Sequence, residues 1–394
     1  MISSFGFYQT PRLRFGAGQL ANVASVSEAY GRNPLIIADR GFTRASGGLS
    51  RLLDELKNRS TDVFLNQTVG EPTPELVDEV VEEHRHNDIS VVIGIGGGSA
   101  VDAGKAVSAM LTCEGPVTGY LEGVGNQRHP GQKIPFIAVP TTSGTGSEAT
   151  KNAVLSRVGP EGFKKSLRHD NFVPDLAVVD PELMLTCPRA VTAACGMDAL
   201  CQLLESYLST QASPLTDSLA ADGLQRIIQN LETACGEGSR DVEVRSQMAY
   251  AAFISGVALA NAGLGAIHGM AAPIGGFFPI PHGVVCGSLL GPAVRVTIES
   301  LRKNPDQNRT ALAKLAIAGS FFGDGSVGDI AGCCEALVGG IYELTKKLGI
   351  PPLSEYGVTR SDCDRIIEKA GNKNHPATLD ADEMRKVLQE RIRS

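Results

Sequence analysis

Residues 91–106 read VVIGIGGGSAVDAGKA, an apolar run that passes through glycines and emerges as a helical pattern. A run apolar on both faces is what a strand buried inside a parallel sheet requires. Glycines directly after such a strand let the backbone approach a pyrophosphate closely. The first amides of the following helix, starting near Ser99, donate to it with the helix dipole behind them. Gly97, Gly98, Ser99 and Asp102 are therefore candidate dinucleotide contacts. The order differs from the usual G-x-G-x-x-G fingerprint, in which the acidic ribose partner follows the glycines by about 20 residues. Here the acidic candidate, Asp39, precedes them at the end of LIIAD. A carboxylate there would accept from ribose hydroxyls and repel a 2′-phosphate, favouring NAD over NADP. A solvated turn residue is an equal reading of Asp39.

Outward from this stretch, LIIA at 35–38, FIAV at 136–139 and LAVV at 176–179 are further continuous apolar runs, and PELVDEVVEEHRH at 74–86 and SAVDAGKAVSAML at 99–111 carry helical periodicity. This alternation is a βαβ architecture. PTTSGTGSEAT at 140–150 follows one of the runs as a dense cluster of hydroxyls and glycines, in which Thr141, Thr142, Thr145 and Ser147 are placed to meet phosphate or the nicotinamide end; Glu148 reads as a capping or orienting residue. After Asp180-Pro181 the β signal fades, and Ala/Leu-rich stretches at 190–209, 214–235, 242–262, 308–322 and 328–348 take over. The expected fold class is α/β plus all-α: a Rossmann-like parallel-sheet dinucleotide-binding domain over 1–185, then a helical metal-binding and catalytic domain over 186–394. A chain of 394 residues exceeds the roughly 250–300 at which single cores stop growing.

Composition removes several function classes. The formal net charge is −7 with no Lys/Arg block, which argues against nucleic acid and anionic membrane surfaces and leaves small molecules. The start lacks a charged-then-apolar signal, and no run approaches the roughly 18 apolar residues that span a bilayer, so a cytoplasmic protein is expected. Nine scattered cysteines without a C-x-x-C pair read as reduced thiols, and Cys195 and Cys201, which bracket Asp198, as packing residues.

Asp198 and Gln202 in GMDALCQLLESY stand at i and i+4 on one helix face, with Glu205 a turn later. His268 sits in the apolar GLGAIHGMAAP, and His282 in PIPHG across a Gly/Pro-rich corner able to fold it back toward His268. Together the four have the composition of a divalent metal site, and not of a structural zinc site, which usually takes cysteines. His84, His86, His129 and His375 read as solvated. His169 lies beside Lys164, Lys165 and Arg168, the most local positive feature of the chain, within reach of a nucleotide phosphate or an anionic substrate.

GGGSAVDAGKA, PTTSGTGSEAT, PDLAVVDPEL, GMDAL with E-S-Y, and HG with P-I-P-HG resemble, in order and approximate spacing over nearly the whole chain, the iron-containing, group III alcohol dehydrogenases. The resemblance implies a dehydroquinate synthase-like pairing of nucleotide and metal domains with the active site in the cleft, and a homodimer or higher oligomer. It implies dinucleotide contacts from Asp39, Gly97, Gly98, Ser99, Asp102, Thr141, Thr142, Thr145 and Lys164, and metal ligation from Asp198, His268 and His282. Three positions depart from the family: Gln202 stands where a ligand His is usual, Ala272 where a proton-relaying His is common, and Glu71 where an Asn is usual. An amide oxygen is a harder, weaker ligand than imidazole, so metal affinity should fall; Fe(II) is the first choice of ion, with Zn(II) or Mn(II) as options.

The implied reaction is metal-assisted hydride transfer between NAD(H) and a small primary alcohol or aldehyde, with Asp198, His268 and His282 at the catalytic centre. Phe277 and Phe278 suggest an apolar wall for a compact substrate, and the basic segment leaves an anionic aldehyde, carboxylated or bearing a sulfonate or phosphonate, open. A metal- and NAD-dependent lyase or synthase on the same scaffold, or a nucleotide-binding protein that has lost catalysis, are the alternatives.

Overall fold

The computed structural model describes residues 4–41, 47–323 and 329–392; residue 328, the first of the last expected helical stretch, lies outside them. The four apolar runs are strands. With β1 (Arg12–Phe15), β2 (Pro34–Asp39), β3 (Phe64–Thr68), β4 (Val91–Gly96), β5 (Phe136–Pro140) and β8 (Leu176–Val179), they form a six-stranded sheet of order β1-β8-β5-β4-β2-β3. Every pairing in it is parallel. β6 (Asn152–Arg157) and β7 (Phe163–Arg168) form a separate antiparallel hairpin. Helices α1 (Val23–Ser27) and α2 (Gly48–Arg59) cover one sheet face, α3 (Pro74–His84) and α4 (Gly98–Met110) the other. That sandwich is why the central strands read as uninterrupted apolar runs.

Beyond the sheet the chain is helical: α5 (Arg189–Leu208), α6 (Pro214–Ala234), α7 (Val242–Ala262), α8 (Ala266–Phe277), α9 (His282–Arg302), α10 (Arg309–Ser320), α11 (Ile330–Leu348), α12 (Cys363–Lys369) and α13 (Ala381–Glu390). The change from sheet to helix falls between Val179 and Arg189. The helical core does not stop there, because Ala149, Ala177, Val179 and Met184 pack into it. α9 is long and apolar enough to cross a bilayer, with mean hydropathy 1.4, but 83 % of that window is buried inside the protein, as befits a core helix.

The Asp180-Pro181 step is a built junction. Asp180 is 1 % exposed. Its carboxylate accepts from the amides of Gly18 at 3.2 Å, Leu20 at 2.9 Å and Glu182 at 3.0 Å, tying the N-terminal segment to the turn that leads into the helices. A second buried polar knot lies under the sheet edge. Lys105, fully enclosed on α4, donates to Ser147 O at 2.7 Å, Thr150 Oγ1 at 3.1 Å and Asn152 O at 2.8 Å. Asp102, one turn earlier, accepts from Ser147 Oγ, and from Val154 N at 3.1 Å. Burial lowers the Lys105 ammonium to about 8, against the pull of Asp102 and Glu148. Burial likewise pushes Glu148 up to about 7 and raises Asp102.

Two outcomes follow from these knots. Asp180→Ala leaves three amides without their shared acceptor and is expected to lower unfolding stability by about 2–4 kcal/mol, read from the urea midpoint. For Glu148 the folded state holds a proton that the unfolded chain gives up near its ordinary 4.5. That contribution is full below pH 4.5 and is lost as pH rises through about 7, at up to about 1.4 kcal/mol per pH unit. Glu148→Gln should flatten the fall in melting temperature across that window; an unchanged slope would show that another group sets it.

Candidate active site

The carboxyl ends of parallel β2, β4 and β5 lie side by side on one sheet edge. β2 leads onward to β3 on one side, whereas β4 leads to β5 on the other, so a crevice opens where the connections diverge, the usual ligand position in open parallel sheets. Asp39 ends β2, Gly97 caps α4, and the hydroxyl loop follows β5. The loops are interlocked. Thr141 N donates to Gly96 O at 2.8 Å, and a Cβ on Gly98 would stand 2.4 Å from Thr145 Oγ1, so only glycine admits this approach. Ser99 starts α4 half-buried, and Thr142 lies against Gly97. Asp102 points both oxygens into the protein and organises the hydroxyl loop from beneath.

Lys164 on β7 is engaged by Glu71 at 2.5 Å, and Glu71 also accepts from Ser156 Oγ at 2.7 Å. Burial would raise the Glu71 carboxyl, but Lys164 and Ser156 hold it below its ordinary value. The neighbouring Arg168 pairs with Glu122 at 3.4 Å. Two of the cations that made this segment positive in the sequence are thus answered locally.

The metal candidates come from three helices. α5 supplies Asp198, Gln202 and Glu205; the Pro279–Pro281 corner turns α8 into α9 and brings the His268 and His282 rings to 5.3 Å between centroids. Glu205 accepts from His268 Nδ1 at 2.6 Å and from Ile267 N at 2.7 Å. This fixes the ring with its Nδ1 proton on Glu205 and its Nε2 lone pair aimed at Asp198 Oδ1, 3.3 Å away. His282 Nε2 lies 3.7 Å from the same oxygen. Acceptors facing one another in a buried site are destabilising unless protons or a cation lie between them. Asp198 and two imidazoles are an ordinary donor set for a divalent transition metal, so these residues fit one. Burial opposes charge on both rings, yet Cys286, Asp198 and, for His268, Glu205 hold them above the ordinary imidazole value.

Gln202 lies beside this centre with its amide nitrogen toward Asp198. Its Oε1 lies 3.1 Å from Ser255 Oγ and its Nε2 faces Asp198 Oδ2 at 3.4 Å. The Ser255 hydroxyl has its nearest acceptor in Ala252 O at 2.7 Å and also lies 3.3 Å from Gly144 O, so the hydroxyl loop and the helix carrying Asp198 meet at this side chain. Cys286, a turn after His282, joins the cluster: one donor atom from each of Asp198, His268, His282 and Cys286 lies within 4.8 Å of the others. The composition reading placed this cysteine among inert core thiols. The spacing His282-x-x-x-Cys286 carried the signal, once a helix starts at His282. Cys201 lies 3.8 Å from His268 Nδ1, nearer the cluster than a packing role requires. His84, His129 and His375 are buried, contrary to the solvated reading. His84 meets Asn66 at 2.7 Å, His129 meets Cys113 at 3.1 Å, and His375 meets Thr297 at 2.9 Å, partners that sequence distance concealed.

Residues 10–181 match the family described as iron-containing alcohol dehydrogenase, and residues 192–392 match the C-terminal part of the Fe-containing alcohol dehydrogenase family. The chain is 34 % identical over 366 residues to Alcohol dehydrogenase 4 of Schizosaccharomyces pombe, covering 90 % of this chain and 81 % of that one. It superposes on 1,3-propanediol oxidoreductase with TM-score 0.86 at 28 % identity, covering 99 % and 100 % of the two chains. Sulfoacetaldehyde reductase of Bifidobacterium kashiwanohense, solved with NAD+, superposes with TM-score 0.84 at 26 % identity, covering 99 % of each. The chain belongs to the iron-containing alcohol dehydrogenase family, oxidoreductases that act on CH–OH groups.

Proposed function

We propose that this protein is an NAD-dependent dehydrogenase and aldehyde reductase for a small primary alcohol, working through a divalent ion held by Asp198, His268 and His282. One observation carries the reading: Ser255 Oγ lies 3.3 Å from Gly144 O in the hydroxyl loop at the nucleotide edge and 3.1 Å from Gln202 Oε1 beside Asp198, so cofactor edge and donor cluster share one wall. Family membership supports oxidoreduction over a lyase or synthase on the same scaffold. Held by Asp198, His268 and His282, an ion would supply Lewis acidity toward the alcohol oxygen, and NAD at the glycine and hydroxyl loops would supply the hydride acceptor.

The chain's own groups do the positioning. Glu205 fixes the His268 ring, Asp39 meets the ribose, and Gly97, Gly98, Ser99, Thr141, Thr142 and Thr145 line the approach to the dinucleotide, with the two functional units divided near residue 185. Lys164, already ion-paired, contributes a hydrogen-bond donor more than a net charge. Phe277 and Phe278, half-buried beneath the Arg365 guanidinium at 4.7 and 5.1 Å, form an apolar wall that suits a compact chain. Ala272 offers no titratable group, so the proton reaches solvent through water or the ribose hydroxyls. All nine cysteines are free, which suits a reducing cytoplasm. β1 is a sheet edge beside exposed Phe5, Phe7, Tyr8 and Leu13, which suits burial against a second copy.

Metal analysis with a screen of alcohols and aldehydes against NAD(H) and NADP(H) tests this function. His282→Ala is expected to lose bound metal and turnover together; full activity without metal would overturn the reading. Asp39→Ala should lower kcat/KM for NAD by about tenfold, roughly 1.4 kcal/mol, and improve the relative use of NADP. An unchanged NAD/NADP ratio would remove Asp39 from the ribose site.

A further inference from the structure

We infer that the Cys286 thiolate is the fourth protein ligand of the metal centre, in place of Gln202, making an Asp/His/His/Cys site that prefers Zn(II) to harder ions such as Mn(II). The inference rests on the metal reading above and names a ligand which that reading lacks.

Geometry carries it. Bonds of 2.0–2.1 Å to nitrogen or oxygen and 2.3 Å to sulfur place the donors of a regular tetrahedron roughly 3.3 Å apart for nitrogen–oxygen pairs and about 3.5 Å for sulfur–nitrogen pairs. The observed edges are 3.3 Å for His268 Nε2 to Asp198 Oδ1, 3.7 Å for His282 Nε2 to Asp198 Oδ1, 3.6 Å for Cys286 Sγ to His268 Nε2 and 3.7 Å for Cys286 Sγ to His282 Nε2. These four of the six edges match one coordination polyhedron, and all four donors lie within 4.8 Å of one another; expansion to five-coordination would admit a substrate oxygen. Cys286 is wholly buried, and α9 presents it one turn beyond His282, so the same helix delivers both donors.

Gln202 does not compete for the position. Its nitrogen faces the Asp198 carboxylate as a donor at 3.4 Å and its oxygen faces the Ser255 hydroxyl at 3.1 Å, so in this orientation the amide presents Asp198 with a proton and not a lone pair. Its part is to orient Asp198, as outer groups commonly orient ligating carboxylates. A thiolate also changes selectivity, since it is softer than amide, carboxylate or water and favours zinc over manganese. Coordination displaces the thiol proton to solvent and changes no oxidation state.

The test uses the full-length protein, stripped with a chelator and reloaded anaerobically with cobalt(II) chloride or zinc chloride. Wild type is expected to take up one cobalt with a near-ultraviolet thiolate-to-cobalt charge-transfer band, and zinc-edge absorption should find one sulfur at about 2.3 Å. Cys286→Ser should lose the band, bind zinc at least about 100-fold more weakly and lose its preference for zinc over manganese; Gln202→Ala and Cys201→Ser should keep the band. Stoichiometric cobalt without the band overturns the ligand assignment and leaves the metal reading standing. Loss of the band in Cys201→Ser but not in Cys286→Ser overturns it in favour of the other thiol. No cobalt uptake by wild type overturns both. If Cys286→Ser does not fold, the sulfur in the wild-type zinc spectrum decides.

Discussion

The active centre depends on a close seam between two unlike halves of the chain. The hydroxyl loop after β5 meets α7 backbone to backbone: a Cβ on Gly256 would lie 2.2 Å from Gly146 O, so no larger residue fits while the seam keeps this spacing. Ser255, the residue before Gly256, sits in the same seam with its hydroxyl oxygen 3.3 Å from Gly144 O and 3.1 Å from Gln202 Oε1. Because Gln202 in turn faces Asp198, the hydroxyl loop and the Asp198 carboxylate are placed relative to one another through this contact. Lys105 and Asp102 stiffen the loop from the sheet side. Reacting groups must be held in close register, and the Gly146–Gly256 contact keeps the loop and α7 too close to admit larger residues.

Charge is distributed so that few groups in the interior are left unanswered. The Lys164–Glu71 pair sits near His282, while Arg168 and Lys151 are matched by Glu122 and Asp170. Alongside burial, the Lys164 ammonium still acts on the centre, opposing charge on His282 against the pull of Cys286 and Asp198. In such a setting Glu205 matters beyond one hydrogen bond: by holding His268 Nδ1 it decides which nitrogen faces Asp198.

The fold was legible where physics writes it locally. Strands sandwiched between helices are apolar throughout, so β2, β4, β5 and β8 stood out. β1 and β3 lie at the sheet edges, are only four and five residues long, and are exposed over most of β1 and at alternate residues of β3, so they left no comparable signal. α8 and α9 were hidden by internal prolines, Pro273 and Pro292, that longer-range packing tolerates. In the site, Asp198, His268 and His282 were readable from type and spacing. Gln202 was readable as unusual, but its direction depends on Ser255, which is 53 residues away. Cys286 was invisible to composition, because an enclosed thiol and an apolar filler look alike until the helix register beside His282 is known.

α5 joins the donor cluster from about 60 residues before α8 and α9, and α9 continues from it through the core to Arg295, which is clamped by Glu299 and Glu390 near the C-terminus. An ion bridging α5, α8 and α9 would act as a cross-link over the helical half. Binding free energy would then appear as resistance to unfolding and would grow with the logarithm of free metal concentration. The lifetime of this protein against proteolysis would follow the metal supply of its cell, so starvation for that ion would deplete the polypeptide as well as silence it.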